Sequence, residues 1–585
     1  MVNEFLEDYE PTHEREAVES YGHYFLGSII ISDKDGHNFI IDGQQRLTTL
    51  TLLLIRIQHL LDDAEQKGQL AELIFSQRFG RRSFNLDVFE RTACMEALYL
   101  GEPYDDSSQP ESIVNILARY QDIEERFPKE LTGNEDLIVT RSLLPYFADW
   151  LIENVYLVEI TAYTDEDAYT IFETMNDRGL SLTPTDMLKG YLLANIRDAD
   201  RRSKANDIWK TEIRKLQDLG KEEDADCIKA WLRSQYAQSI RERKRGATPQ
   251  DFDQIGTEFH RWVRNHEELL SLTNSDDFAR FIERDFVFYA RQYDCLRQAG
   301  EILTPELESV YYNAQNNFTL QYPVLLAPLR LEDSEKDILQ KIRIVAAFID
   351  ILIARRIWNS RAIDYSTMRY AMFLVMKEIR RKTAGEIADS LSARLASETE
   401  TFVSNDRFRL HGMNRRQIHW LLARMTDYVE THSKMPSHYA EYVQRKARDP
   451  FEVEHIWANH PEWHTDEFAH ANDFDEYHNR IGGLLLLPKS FNASYGDLPY
   501  VEKREHYLEQ NLLAKSLHEQ VYQRNPGFLR FVRERGLPFE PHKEFKKCDL
   551  DARQELYRRL AEEVWNPERL QLELASRERT LLFNS

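Results

Sequence analysis

The sequence predicts a predominantly helical α+β protein, and three observations carry that expectation. From about 200 to 445 the apolar residues recur at helical spacing, with few strand candidates. Short β-branched runs bounded by turn residues occur at 24–32, 38–41 and 154–160, and again between 451 and 487. Hydrophobic residues make up 42% and aromatics 11% of the 585 residues, enough for several packed cores and too many for wholesale disorder.

Composition narrows the class further. The cysteines (Cys94, Cys227, Cys295, Cys548) are scattered with no Cys-x-x-Cys pair. That argues against a disulfide framework or a Cys-rich zinc site, and it fits a reducing cytoplasm. No apolar run approaches ~18 residues without a charge, so no membrane span is expected. The N-terminus carries Glu4, Glu7, Asp8, Glu10, Glu14, Glu16 and Glu19 against Arg15 alone, the reverse of a signal peptide. The net charge of −24 opposes long-range attraction of nucleic acid, although binding depends on a patch and not on the sum.

The elements follow in order. Tyr24–Ser32 and Asn38–Ile41, joined through Asp33-Lys-Asp-Gly36, predict a β-hairpin. Asp42-Gly-Gln-Gln-Arg46 then leads into a buried helix starting near Gln45. Residues 101–112 read as a loop, Asn154–Ile160 as a strand, and Asp165–Asn176 as a helix ending at Asp177-Arg-Gly179. Thr183-Pro-Thr-Asp186 restarts a helix. Near the C-terminus, Phe451–Ile456 and Ile481–Leu487 read as strands, and Lys489-Ser-Phe-Asn492 opens a helix.

Two segments present chemistry. A turn feeding a helix N-terminus offers free N–H groups and a positive dipole end, an anion site in outline. Gly43 admits close approach, Arg46 can fork onto phosphate, and Thr48 and Thr49 add hydroxyls. Asp42 has the wrong charge for phosphate, and suits a metal, a ribose or Arg46 itself. A tight turn capping a core helix explains the same residues. At the other end, Glu454, His455 and Asn492 are an acid, an imidazole and an amide that two strands and a helix can gather. A carboxylate and an amide oxygen are hard ligands for Mg²⁺ or Mn²⁺, and a His beside the metal can take a proton from water. A buried ordinary histidine explains this segment too. Zinc through His455, His460 and His464 is disfavoured by irregular spacing without cysteine.

Tyr24-Phe-Leu-Gly-Ser-Ile, Ile41-Asp-Gly-Gln-Gln-Arg-Leu-Thr-Thr-Leu50 and Phe172-Glu-Thr-Met-Asn-Asp-Arg-Gly-Leu-Ser-Leu, in that order, resemble the N-terminal domain of GmrSD-type restriction endonucleases. The resemblance implies a ParB/sulfiredoxin-like fold that binds and hydrolyses an NTP (GTP, UTP, CTP or ATP) and senses modified DNA. It implies a nucleotide pocket lined by Asp42, Gly43, Gln44, Gln45, Arg46 and Thr48, with Asn176 and Arg178 nearby. Family members usually carry a Pro-x-Tyr-Gln-Arg-x-Tyr-x-Trp segment before the Phe-Leu-Gly-Ser strand. No such motif precedes Tyr24, so the expectation is a chain that begins late or lacks it.

The block Glu454-His455-Ile456, Asn492 and Lys503 resembles the C-terminal HNH-like (ββα-metal) domain of the same family. It implies His455 as general base, Glu454 and Asn492 as metal ligands, and Lys503 as a phosphate contact. The family's usual Asn is replaced by Gly483, and Asn479 is the substitute at hand.

The expected organisation is therefore a nucleotide-binding and DNA-sensing domain over 1–195, a helical connector over 196–400 and an HNH-like nuclease domain over 401–585. The connector's basic clusters at 241–245, 355–356 and 377–382 are solvated helix faces or DNA contacts. The implied function is an NTP-dependent, modification-dependent DNA endonuclease of anti-phage defence, acting on modified phage DNA. A phosphorothioate-sensing nickase and a non-catalytic DNA- or nucleotide-binding regulator are the alternatives. Assembly as a homo-oligomer stays open.

Overall fold

The computed structural model describes residues 1–34, 37–78, 81–86, 88–105, 109–132, 142–162, 183–242, 244 and 246–575. The chain is predominantly helical with small sheets. It divides into two units, Met1–Leu182 and Thr183–Ser585. Among the described residues no helix is long and apolar enough to cross a membrane.

In the first unit, strands β1 (Tyr24–Lys34) and β2 (His37–Asp42) form the expected antiparallel hairpin, with Ile31 opposite Ile40 and Ser32 opposite Phe39. Helix α1 (Gln44–Leu60) follows immediately and buries Leu52, Leu54, Ile55 and Ile57. A short hairpin, β3 (Phe75–Arg78) and β4 (Arg81–Phe84), lies further along, and no strand signal marked it in the sequence. Strand β5 (Val155–Ala162) pairs parallel with β1, giving the order β2-β1-β5. The core of this unit gathers Phe5, Ile55, Leu70, Phe147 and Trp150.

The second unit begins at helix α2 (Pro184–Ala194). Thr183 and Asp186 cap it reciprocally. This departs from the boundary expected at 195: Leu188, Leu192 and Ile196 are fully buried in the core of the second unit. One hydrophobic core continues across residue 400. Helix α3 (Glu335–Trp358) and helix α4 (Arg415–His432) share that core, and buried Asp350 on α3 receives Arg424 at 3.1 and 3.2 Å. Trp565 at 3.1 Å and Arg569 at 2.9 Å bond the same carboxylate.

The connector's basic clusters are mostly tied into the fold. Arg355 donates to the Leu395 carbonyl, Arg356 to Ala362, Lys377 to Gln238, and Arg380 to Ser234 and Ala237.

Strands β6 (Phe451–His455) and β7 (Leu484–Pro488) pair antiparallel, with Glu454 opposite Leu485 and His455 opposite Leu484. Helix α5 (Ala471–His478) lies between them in sequence, and helix α6 (Lys489–Tyr495) follows β7 and packs on both strands. The second strand is shorter than the sequence suggested. Ile481-Gly-Gly483 is a 3₁₀ turn. Helix α8 (Lys547–Val564), beyond α7 (Tyr500–His506), causes this by crossing directly over Gly482. A Cβ at Gly482 would lie 2.4 Å from the Gln554 main-chain nitrogen, and the Gly482 N–H donates to Gln554 Oε1 at 2.8 Å.

Candidate active site and nucleotide turn

The turn from β2 into α1 is shaped by Gly43. Its φ is +96°, and a Cβ there would lie 2.5 Å from Ile29 Cγ2, so only glycine fits. The first turn of α1 has no side-chain cap, which leaves N–H donors facing outward. Arg46 reaches back to Asp42 Oδ2 at 3.0 Å and donates to the Ser28 carbonyl. Asp42 thus takes the last of its three expected roles, as the partner of Arg46. Gln44 Nε2 donates to the Ile40 carbonyl at 2.9 Å, and Thr48 Oγ1 donates to the Gln44 carbonyl at 2.7 Å. Gln45 is exposed. The turn therefore holds Asp42, Gly43, Gln44, Gln45, Arg46 and Thr48 together, with most of their side chains used to brace it. Asn176 and Arg178 lie outside the described residues.

At the other site, Glu454 and His455 end β6 and point to opposite faces, as strand alternation requires. Glu454 faces the cluster of Leu485, Leu487, Phe491 and Tyr507. Lys503 on α7 is fully buried, and its ammonium donates to Glu454 Oε1 at 2.8 Å and to the His455 carbonyl at 3.0 Å. Burial raises the Glu454 carboxyl and lowers the Lys503 ammonium, and their mutual attraction opposes both shifts. The phosphate contact expected of Lys503 has no exposed atom to make it in this conformation. Lys503 instead locks Glu454 to the end of β6.

His455 stacks on His478, with ring centroids 4.0 Å apart and planes 3° from parallel. Asn479 Nδ2 donates to the Asp475 carbonyl at 2.9 Å, which turns its Oδ1 to accept from His455 Nε2–H at 3.2 Å. That bond fixes the tautomer and leaves Nδ1 as the proton acceptor. Burial first, then neighbouring His478 and the Lys503 and Arg415 cations, hold His455 down to about 3. The ring is therefore neutral at physiological pH. Asn479 thus braces the His455 ring. A side chain at Gly483 would meet Leu550 Cδ1 at 3.2 Å.

Asn492 on α6 carries a buried Oδ1 with no hydrogen-bond partner. An orphaned amide oxygen is costly to bury and suits a hard cation. Among the described residues no group of three or more His, Cys, Asp and Glu can hold a metal. The other histidines of the loop are engaged locally. His460 bonds Glu462 at 2.7 Å and His464 bonds Glu467 at 3.3 Å.

Sequence reasoning missed Asn479's contact with His455 and the His478 stack. The run His478-Asn479 gave a signal only through its polarity next to a predicted strand.

The model of the GmrSD restriction endonuclease N-terminal domain matches residues 1–193, and that of the GmrSD restriction endonuclease C-terminal domain matches 402–560. No curated protein matches the chain. With both domains present in order over more than half of its length, the chain belongs to the GmrSD restriction endonucleases, a family membership that implies DNA as its partner.

Proposed function

We propose that the chain is a divalent-metal-dependent, modification-dependent DNA endonuclease of the cytoplasm whose cutting centre is the HNH-like β6–β7–α6 unit. The observation that supports it is one constellation: neutral His455 pinned by Asn479, locked Glu454 beside it, and the orphaned Asn492 oxygen on the following helix. Glu454 and Asn492 would hold Mg²⁺ or Mn²⁺, which when bound offsets charge on the scissile phosphate and the leaving oxygen. His455 Nδ1 accepts the proton of the attacking water, while Asn479 keeps the ring from rotating. Lys503 is a positioning residue for Glu454. In the first unit, the ParB/sulfiredoxin-like turn at Gly43 would bind an NTP phosphate through the uncapped α1 N-terminus, and its hydrolysis would gate cutting.

The test is cleavage of modified phage DNA with Mg²⁺ or Mn²⁺, with and without each NTP, comparing wild type with His455→Ala. Loss of cleavage in the variant is the expected result, and undiminished cleavage sinks the assignment. Nicks confined to phosphorothioate DNA would identify the nickase. DNA or nucleotide binding without any cleavage would identify a regulator.

A further inference from the structure

A cavity of about 470 Å³ opens alongside β6. Arg415, Arg416, Arg445, His419, Trp420 and Glu452 line it, so three guanidiniums face one carboxylate. This local excess stands out in a chain of net charge −24.

Two of these arginines occupy the first turn of α4, where the helix dipole disfavours cations. The N-cap residue does not relieve that end, because Asn414 Oδ1 accepts from the His411 N–H and not from the helix. Arg416 is held by the Gln315 carbonyl at 2.6 Å and Asn317 Oδ1 at 3.3 Å, and Arg445 by the Phe451 carbonyl at 3.1 Å. Each retains further N–H donors. Arg415 is exposed and has no hydrogen-bond or ion-pair partner among the described residues. It nevertheless lies close enough to His419 and His455 to bias both rings against protonation. Arg355, Arg356 and Arg380 of the connector, by contrast, are taken up by main-chain carbonyls.

An unpartnered guanidinium, lining one cavity with two others that are held by main-chain carbonyls, matches a phosphodiester. We propose that this cavity holds a backbone phosphate of the DNA strand being cut, one flanking the scissile position, with Arg415 as its principal ligand and Arg416 and Arg445 lining the same cavity. The proposal rests on the reading of β6–β7–α6 as the cutting centre.

The test measures binding of a labelled phage-derived duplex to full-length His455→Ala with Mg²⁺ present, over a series of salt concentrations. Cleavage is measured in parallel on the otherwise native chain. Arg415→Ala is expected to weaken binding ~10-fold at low salt and to reduce the slope of log K against log salt by ~1. In cleavage it raises KM more than it lowers kcat. Arg415→Lys restores the slope but not the whole affinity, because the ammonium lacks the fork. Arg530→Ala, an exposed arginine elsewhere in this unit, changes neither quantity. Normal cleavage by wild type, with Arg415→Ala unchanged in affinity, slope and KM, overturns the phosphate site and leaves the cutting centre standing. A lost slope in a protein that never cleaves overturns the cutting centre, and with it the placement of this phosphate beside a scissile bond, while the contact of Arg415 with a DNA phosphate stands. Absence of any duplex binding overturns both.

Discussion

Replacing Lys503 with Met removes the ammonium from a fully buried pair while keeping most of the side-chain volume. Glu454 is then left with a buried carboxylate that has lost its 2.8 Å hydrogen bond from Lys503. Breaking a buried pair from one side costs about 3–5 kcal/mol, because the remaining charge stays desolvated. The double variant Glu454→Gln/Lys503→Met removes both charges and is expected to recover most of that loss. The assay is equilibrium urea unfolding of wild type, the single variants Lys503→Met and Glu454→Gln, and the double variant, with hydrogen exchange of the β6 amides as a local readout. The pH dependence adds a second check. Burial already raises the Glu454 carboxyl, and losing Lys503 raises it further. A carboxyl whose folded value exceeds its unfolded one contributes stability at low pH and loses it as pH rises through the folded value. The deficit of Lys503→Met relative to wild type is therefore largest at neutral pH and closes as pH falls towards the ordinary carboxylate range. A cost below about 1 kcal/mol at neutral pH, the scale of an exposed pair, refutes the reasoning. So does a double variant as unstable as the sum of the two singles.

Asn479→Ala frees His455 Nε2 and is expected to lower kcat by ~10–100-fold without unfolding the chain, as loss of a tautomer-fixing partner does; circular dichroism and single-turnover cleavage check it. His455 is held down to about 3, and His478 and His419 to about 4, all by burial first. Their unfolded forms take up protons below about 6.5 while the folded forms do not, so these groups destabilise the second unit as pH falls from 6.5 towards 4; the urea midpoint across that window reads it, and a flat midpoint counts against it. Gly43→Ala forces a side chain at φ +96° against Ile29, and is expected to cost more than ~1 kcal/mol in the first unit; thermal unfolding of the variant, with Gly68→Ala in open space as control, measures it.

What the sequence revealed was local. The Asp35-Gly36 signal placed the β1–β2 hairpin, the dense apolar run placed α1 within one residue of its start, and Thr183-Pro-Thr-Asp186 announced α2 through its capping chemistry. The alternation Phe451-Glu-Val-Glu-His placed β6. The contacts that give the site its character are long-range, and no periodicity encodes them. β5 pairs with β1 across more than a hundred residues. Lys503 reaches Glu454 from a separate helix, and Asn479 meets His455 only because α5 folds back on β6. Gly482 looked like part of a strand because apolar residues continue past it, yet the crossing of α8 turns it into a close-packed bend. The resemblance to a known family supplied the roles, but it gave Lys503 to the phosphate where the fold gives it to Glu454.

The Asp350 hub bears on how the protein can be taken apart and recombined. Its carboxylate is closed off from solvent by Arg424, Trp565 and Arg569, drawn from α4 and from the chain beyond α8. A fragment cut at 401 would strip α3 away from three donors, and one cut at 560 would lose two of them. Neither truncation yields a portable nuclease module. Exchanges with related chains therefore have to carry α3, α4 and the chain beyond α8 together.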